Sequence, residues 1–370
     1  MWLGLRGFPG VQGGVEAHAE RLCPALVELG CTVEVIVRSP YQGDDLSATW
    51  KGVRFKSVWS PRSKSLEAIV HSLLGVLYAG LVHRPDVLHI HAIGPAIVTP
   101  LARLLRLTVV VTHHGPDYER EKWGRLAKWM LRLGERVGIR WSNNRIAVSK
   151  VIQTLVRDKY GKDSVFIPNG VALSQLAQTR GALDQFDLES CKYICLVSRL
   201  VPEKRHLDLI AAFRAAQLSG WKLVLVGASD HPDEYTRRVL DAVAETPGAI
   251  CTGFQTGLAL RELYTHAGMF VLPSAHEGLP IAMLEALSYG LPVVASDIPA
   301  NLEVGLPAGQ YFPLGDVSAL ATRLVHFAVD RPTTEAREQC RRWVCHQYDW
   351  RDIAGRTLMV YQSVMNGQVV

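Results

Sequence analysis

Two glutamates, Glu277 and Glu285, bracket the entrance to a helix in the stretch Phe270–Ser296, FVLPSAHEGLPIAMLEALSYGLPVVAS. Ionised carboxylates only accept hydrogen bonds and each can take several, so the pair suits an elongated ligand rich in hydroxyls, such as a sugar. Phe270-Val271-Leu272 predicts a buried strand that Pro273-Ser274 ends, and Pro292–Ala295 a second strand. Between them Ile281, Leu284, Leu287 and Ser288 recur at helical spacing, predicting about three turns with Gly290 as C-cap. On that reading Glu285 lies about two turns below Glu277. Gly278, Leu279 and Pro280 form the helix entrance, where backbone N–H groups without intrahelical partners can bind anions or hydroxyls.

Two cations stand in a comparable place. Arg199 and Lys204 follow the predicted strand Tyr193–Val197, in the run SRLVPEK. Beside a strand end they can clamp a diphosphate, arginine as a fork and lysine as a point charge. Near the start of the chain, Gly13-Gly14 directly precede a predicted helix, Val15–Leu29. The spacing of the glycines does not fit G-x-G-x-x-G, and Glu34 lies within the next strand instead of at its end, which disfavours a dinucleotide site. The strand Asp86–His91 ends in His91, and Thr108–Thr112 runs into His113-His114. Polar residues at the carboxyl ends of strands in an open α/β sheet face the ligand crevice. His91 and His113 read as structural hydrogen-bonding residues, and the strand-end position alone leaves His114 open between that role and a site role. No D-x-D sequence occurs, so no metal held by that motif is expected.

The elements that must position these groups alternate strand and helix in both halves of the chain, predicting an α/β protein with two doubly wound domains. A length of 370 residues agrees with two domains of about 150–180 residues each. Hydrophobic content of 48% with 20% charged residues describes a globular protein. The seven cysteines show neither C-x-x-C nor a zinc spacing and read as buried thiols in a reducing cytosol. No signal peptide is recognised, and the apolar segment Ala68–Val82 is too short to span a membrane and reads as a buried helix. Net charge is +5 but uneven: residues 1–180 hold 24 Lys/Arg against 14 Asp/Glu, and residues 181–370 hold 16 against 21. No nucleic-acid motif accompanies the basic half. Its densest part is a predicted helix over Glu119–Trp141, with breaks possible at Gly124, Gly134 or Gly138. In it Lys128, Arg132, Arg136 and Arg140 recur every fourth residue beside Arg120, Lys122, Trp123 and Trp129. Such a helix suits an anionic membrane surface. It equally suits a domain core, with Leu126, Met130, Leu133 and Val137 inside and the charges solvated.

The motifs together resemble the retaining glycosyltransferases of family four, the group-1 nucleotide-sugar enzymes of bacterial polysaccharide assembly. Glu277 and Glu285 match the E-x7-E signature, Arg199 and Lys204 the R-x4-K pair, Gly13-Gly14 the GG loop, and Thr112-His113-His114 the T-x-H position. Ile167–Val171, IPNGV, also resembles the family, although Ala172 and Ser174 stand where an acidic residue is frequent. The resemblance implies a GT-B fold, two Rossmann-like domains facing across a cleft. It divides the chain into an acceptor-side domain at 1–171, a linker at 172–190, a nucleotide-sugar domain at 191–345 and a final helix at 346–370 returning to the first domain. It implies transfer of a sugar from a nucleotide-diphosphate donor to a hydroxyl of a glycan or lipid-linked acceptor, without cofactor. His114 would lie beside the transferred sugar, Gly13 and Gly14 would admit the diphosphate, and Gly253 would meet the nucleobase. Glu277, with Gly278 and Leu279 beside it, would orient the sugar, and Glu285 would accept from the ribose. The expected location is the cytoplasm, with peripheral contact to the inner membrane face through residues 120–141. A nucleotide-sugar epimerase or phosphorylase on the same fold, and a non-catalytic partner subunit that binds nucleotide sugar, remain alternatives.

Overall fold

The computed structural model describes residues 1–41, 49–61, 67–120, 123–229 and 232–367. The chain forms two compact units, one of Met1–Gly170 with Trp350–Val370 and the other of Val171–Asp349. The first unit holds an eight-stranded sheet of β1 (Trp2–Leu3), β2 (Glu34–Arg38), β3 (Thr49–Trp50), β4 (Val53–Val58), β5 (Leu88–His91), β6 (Val109–His113), β7 (Asn144–Ala147) and β8 (Val165–Phe166). Its order is β3-β4-β2-β1-β5-β6-β7-β8, and only β3 runs antiparallel to its neighbour. Residues 49–58 therefore form a hairpin that turns at Lys51-Gly52.

Central strands such as VVVTH and EVIVR read as near-continuous apolar runs because helices cover both sheet faces. Trp2, Val35 and Val37 face a cluster with Leu22 and Leu26 of the helix Gly14–Glu28 and with Ile353 and Tyr361 of the last helix, Trp350–Met365. Leu3 and Ile36 point the other way, toward Val76, Ala79, Ala96 and Ala102. The alternation of neighbouring residues between the two clusters is the period of two of a strand. The last helix thus completes the core of the first unit.

The second unit has a six-stranded parallel sheet of β9 (Tyr193–Val197), β10 (Lys222–Val226), β11 (Ala249–Gly253), β12 (Met269–Leu272), β13 (Val293–Ser296) and β14 (Tyr311–Phe312), in the order β11-β10-β9-β12-β13-β14. In each sheet the first strand of the unit lies centrally, and the chain winds first to one side and then to the other. The switch points fall between β1 and β5 and between β9 and β12.

Several local expectations change. Residues 172–190, read as a linker, belong to the second unit and include the helix Gly181–Gln185. Glu262 accepts from the Ala182 N–H at 2.6 Å and Thr265 Oγ1 from the Ala177 N–H at 2.9 Å. Side chains distant in sequence hold this segment, which is why it carries no periodicity of its own. The helix after Glu277 spans only Ile281–Ser288, so Glu285 lies about one turn into it. The basic helix spans Arg125–Trp141 and continues through Gly134 and Gly138. A Cβ at Gly134 would stand 2.2 Å from the Ile93 carbonyl oxygen, and one at Gly138 2.7 Å from Ala96 Cβ, so these glycines serve close packing, not a break. Glu121 and Lys122 lie outside the described residues. The segment read as a buried helix at Ala68–Val82 is a helix, Glu67–Tyr78, and a wider turn, Ala79–His83. It buries Val76 and Ala79 but exposes Leu73, Leu74, Leu81 and Val82. Among the described residues no helix is long and apolar enough to cross a membrane.

Candidate active site

In the second unit the charged residues gather at the switch point. β9 ends at Val197, and the chain turns through Arg199 and the short 3-10 segment Pro202–Lys204 into the helix His206–Ala216. β12, the neighbour of β9, ends at Leu272 and leads to Glu277. The Lys204 ammonium and the Glu277 carboxylate form an ion pair, with side chains 19% and 11% exposed. Their backbones are tied as well: the Ala275 N–H donates to the Glu203 carbonyl at 2.8 Å, and the Ser296 hydroxyl donates to the Ser274 carbonyl at 2.5 Å. Behind Lys204, His206 shares a hydrogen bond with Ser198 Oγ at 2.9 Å. Burial first, and then the Lys204 charge, push this imidazole down to about 3, so it is neutral near pH 7.

Glu285 is half-buried and accepts from the Tyr264 hydroxyl at 3.2 Å. Tyr264 stacks on Tyr289 with ring centroids 5.0 Å apart, which fixes that donor. Gly253 ends β11 at φ +71, a left-handed conformation that glycine adopts without strain. Its carbonyl accepts from the Gly227 N–H at 2.8 Å, so the ends of β10 and β11 close on each other. Gly278 is partly exposed at the helix entrance, while Leu279 is buried.

The first unit places different chemistry at its own strand ends. After β1 the glycine-rich loop is braced by Arg6, whose Nε lies 3.1 Å from Glu16 Oε1. A Cβ on Gly13 would fall 2.0 Å from Glu16 Oε2, so a side chain there would displace the Arg6–Glu16 pair. Gly14, the first residue of the helix, is exposed with open space at its Cβ position. Beyond the loop lies a histidine cluster. His91 Nδ1 and His114 Nε2 share a hydrogen bond at 3.1 Å, Trp2 stacks on His91 at 4.1 Å, and His18 meets His114 edge-on at 5.2 Å. His89, beneath them, bonds Tyr361 and Thr112, each at 2.6 Å. Burial, followed by the mutual repulsion of their cationic forms, holds His89, His91 and His114 well below the ordinary histidine range. Burial brings His18 down to about 4. All four are neutral near pH 7.

His18, His91 and His114 each offer a nitrogen within 4.8 Å of the others. Among the described residues this is the one group with the composition of a metal site. A tetrahedral zinc with nitrogen ligands has edges of about 3.3 Å. The set would have to contract, and its 3.1 Å edge is already a hydrogen bond between imidazoles. As it stands it is a packed hydrogen-bonding cluster.

Adjacent to it, His113 Nε2 donates to Glu135 Oε1 at 2.9 Å and Nδ1 accepts from the Gly115 N–H at 3.1 Å, which fixes the tautomer and the turn carrying His114. Glu135 also accepts from Tyr118 at 3.2 Å and from Lys159 and Tyr160. Burial alone would raise this carboxyl, but the donors His113, Lys159 and Tyr160 outweigh it and bring it to about 2.

Residues 12–175 match the family model described as Glycosyltransferase Family 4, and residues 191–330 match Glycosyl transferases group 1, together most of the chain. The chain belongs to the family-four glycosyltransferases. It is 24% identical over 277 residues to a putative teichuronic acid biosynthesis glycosyltransferase of Bacillus subtilis, covering 72% of this chain but 63% of that one, under two thirds of its length. It is 25% identical to an alpha-maltose-1-phosphate synthase of Mycobacterium tuberculosis, over 96% of this chain and 97% of that one. Sucrose-phosphate synthase from Thermosynechococcus elongatus superposes with a TM-score of 0.83 over 99% of both chains at 20% identity. HepE of Anabaena, in a complex with UDP-glucose, gives 0.79 over 98% of both chains at 17% identity. At these identities the superpositions speak for the fold, which is GT-B.

In this glycosyltransferase, Arg199, Lys204, Gly253, Glu277, Gly278, Leu279 and Glu285 all lie in the second unit, and Gly13, Gly14 and His114 in the first. Lys204 and Glu277, separated by 73 positions in sequence, are in direct contact. His18 and His91 join His114, and neither stood out as a site residue in the sequence. His18 follows Gly14 by one helical turn and so shares its helix face, a spacing that could have pointed to it. His91 could be located only through the pairing of β5 with β6.

Proposed function

We propose that this glycosyltransferase moves a sugar, with retention of configuration, from a nucleoside-diphosphate sugar to a hydroxyl of a glycan or lipid-linked acceptor. The observation that carries this reading is the gathering of Arg199, Lys204 and Glu277 at the ends of β9 and β12, where open α/β sheets bind their ligands. HepE, whose crystal structure contains UDP-glucose, shares the fold and supports a nucleotide-sugar donor. Arg199 and Lys204 neutralise the diphosphate as it departs, with the N–H groups at the helix entrance after Gly278 in support. Each charge-assisted hydrogen bond contributes about 1.5–3 kcal/mol. Glu277 accepts from sugar hydroxyls, Glu285 accepts from the ribose, and Gly253 admits the base. His114, neutral near pH 7, addresses the transferred sugar as a hydrogen-bonding group and not as a cation.

In the reaction the bond from the anomeric carbon to the diphosphate oxygen breaks. The acceptor oxygen bonds the same face of that carbon, and its proton passes to the leaving phosphate. No side chain is assigned as a covalent nucleophile, and neither cofactor nor metal is assigned a role. Screening UDP-, GDP- and ADP-sugars for donor hydrolysis and thermal stabilisation tests the reading. One nucleotide class should stabilise the protein and be hydrolysed, and Lys204→Ala should strongly reduce both effects. Stabilisation by none of them would overturn it.

For a lipid-linked acceptor the same reading includes peripheral contact with an anionic membrane through the helix Arg125–Trp141. Leu126 is 73% and Trp129 59% exposed, so these two are not core residues, and Arg132, Arg136 and Arg140 are exposed beside them. Lys128, Met130, Leu133 and Val137 are half-buried. Basic residues at an anionic surface each contribute about 1 kcal/mol within a Debye length. Sedimentation should recover the protein with anionic and not with neutral vesicles, less so at high salt, and Trp129→Ala with Arg132→Gln should reduce recovery. Equal recovery with both lipids removes the membrane role.

A further inference from the structure

The residue expected to grip the diphosphate and the residue expected to grip the sugar hold each other. Lys204 and Glu277 come from different strand ends, are largely covered, and sit on turns whose backbones are hydrogen-bonded together. The pair is therefore a property of the folded site. We propose that it is a latch selective for the intact donor: Glu277 opposes binding of a bare nucleoside diphosphate and helps expel it after transfer. The proposal rests on the donor-site reading above.

The reasoning is electrostatic. An ammonium has three donors, so Lys204 can meet a phosphate without fully leaving Glu277, but the carboxylate and the phosphate then share one cation at close range. A nucleotide sugar relieves that conflict in two ways. Its second phosphate is esterified and carries less charge than a terminal phosphate. Its sugar hydroxyls also give Glu277 the donors that it surrenders as Lys204 turns to the diphosphate. A bare nucleoside diphosphate brings a more highly charged terminal phosphate and no hydroxyl there, so Glu277 faces it as a like charge. Once the sugar has moved to the acceptor, the hydroxyl donors go with it. Glu277 then competes for Lys204 again and weakens the hold on the product.

Calorimetry of the full chain with UDP, GDP and ADP, and with the matching monophosphates, tests this. Glu277→Gln should bind the preferred diphosphate at least tenfold more tightly than the wild-type protein does, and product inhibition by that diphosphate should strengthen in parallel. The gain should vanish in a Lys204→Ala background, where the Lys204 ammonium that Glu277 holds is gone. Monophosphate affinity should stay within about twofold of wild type, because a monophosphate lacks the second phosphate; the same measurement reports that the variant site is folded. Unchanged or weaker diphosphate binding by Glu277→Gln, with monophosphate binding intact, overturns the latch and leaves the donor site standing. The same gain in the Lys204→Ala background overturns it too, since Glu277 would then act without the pair. Failure of wild type and variant to bind any of the three diphosphates removes the donor-site reading and the latch with it.

Discussion

The two units share one architecture and put opposite chemistry at equivalent places. Each is a mainly parallel sheet entered centrally, with candidate site residues at or just beyond the carboxyl ends of its strands. In the second unit the turns there carry charge, Arg199 and Lys204 against Glu277. In the first, beside the Arg6–Glu16 pair that braces the loop after β1, the ends of β5 and β6 carry neutral imidazoles, packed on one another and on Trp2. Topology therefore decides where a ligand can be met, and the residues at the strand ends decide whether it is met as an anion or as a set of hydroxyls. A charged cluster stays partly accessible because ions are costly to dehydrate, whereas neutral histidines tolerate burial once hydrogen-bonded.

The largest effect that sharpens this contrast should come from the cations. Arg199→Ala and Lys204→Ala should each lower kcat/KM by about 10²–10³, the scale for losing one preorganised group at developing charge. Steady-state kinetics with the identified donor checks this. A comparable loss of nucleotide affinity from His114→Ala would erase the division of labour between the units.

Next comes stability, where the first unit should be the sensitive one. Glu135→Ala leaves His113, Lys159, Tyr118 and Tyr160 without their common acceptor and should cost about 3 kcal/mol in denaturant unfolding. The carboxyl lies at about 2 in the folded protein, below its ordinary value, so its contribution is complete above about pH 4.5 and is lost as pH falls toward 2. The buried imidazoles act earlier. His18 falls to about 4, so the unfolded chain takes up more protons between about pH 6.5 and 4, and stability declines across that window. Hydrogen exchange at pH 5 should show the first unit losing protection before the second; simultaneous loss would break the comparison.

Glu285→Ala should weaken nucleoside-diphosphate affinity by about tenfold, the low end of a charge-assisted hydrogen bond, with kcat little changed. Calorimetry reads it directly. The smallest expected effect is that of a chelator: turnover should survive excess EDTA, because the proposed charge neutralisation is done by Arg199 and Lys204. Loss of activity restored by zinc would instead give the His18–His91–His114 set a working metal.

Much of the architecture was legible because it is local. Strand–helix alternation, the apolar run at β9 and the glycines before helices reflect neighbours in sequence, and the strands read at Asp86–His91, Thr108–Thr112, Tyr193–Val197, Phe270–Leu272 and Pro292–Ala295 lie within two residues of β5, β6, β9, β12 and β13. Boundaries failed where tertiary packing overrode the pattern. The helix at Ile281 starts late because the turn before it is held by Glu203, Ser296 and Pro280. Of the three glycines offered as breaks in the basic helix, Gly124 does precede its first residue, but Gly134 and Gly138 lie inside it, since a sequence does not say that Ile93 and Ala96 approach them. Leu126 read equally as a core residue or a surface one, because periodicity cannot say which face of a helix has a partner.

For the site itself, the sequence alone determined which groups are available: two carboxylates, two cations, a glycine pair and histidines at strand ends, each in a local context that limits its chemistry. Only the tertiary structure decided which of them meet. The order of parallel strands brings β9 beside β12 and β5 beside β6, and so pairs Lys204 with Glu277 and His91 with His114. Strand order arises from long crossover connections, whose lengths leave no periodic trace in the residues that they bring together.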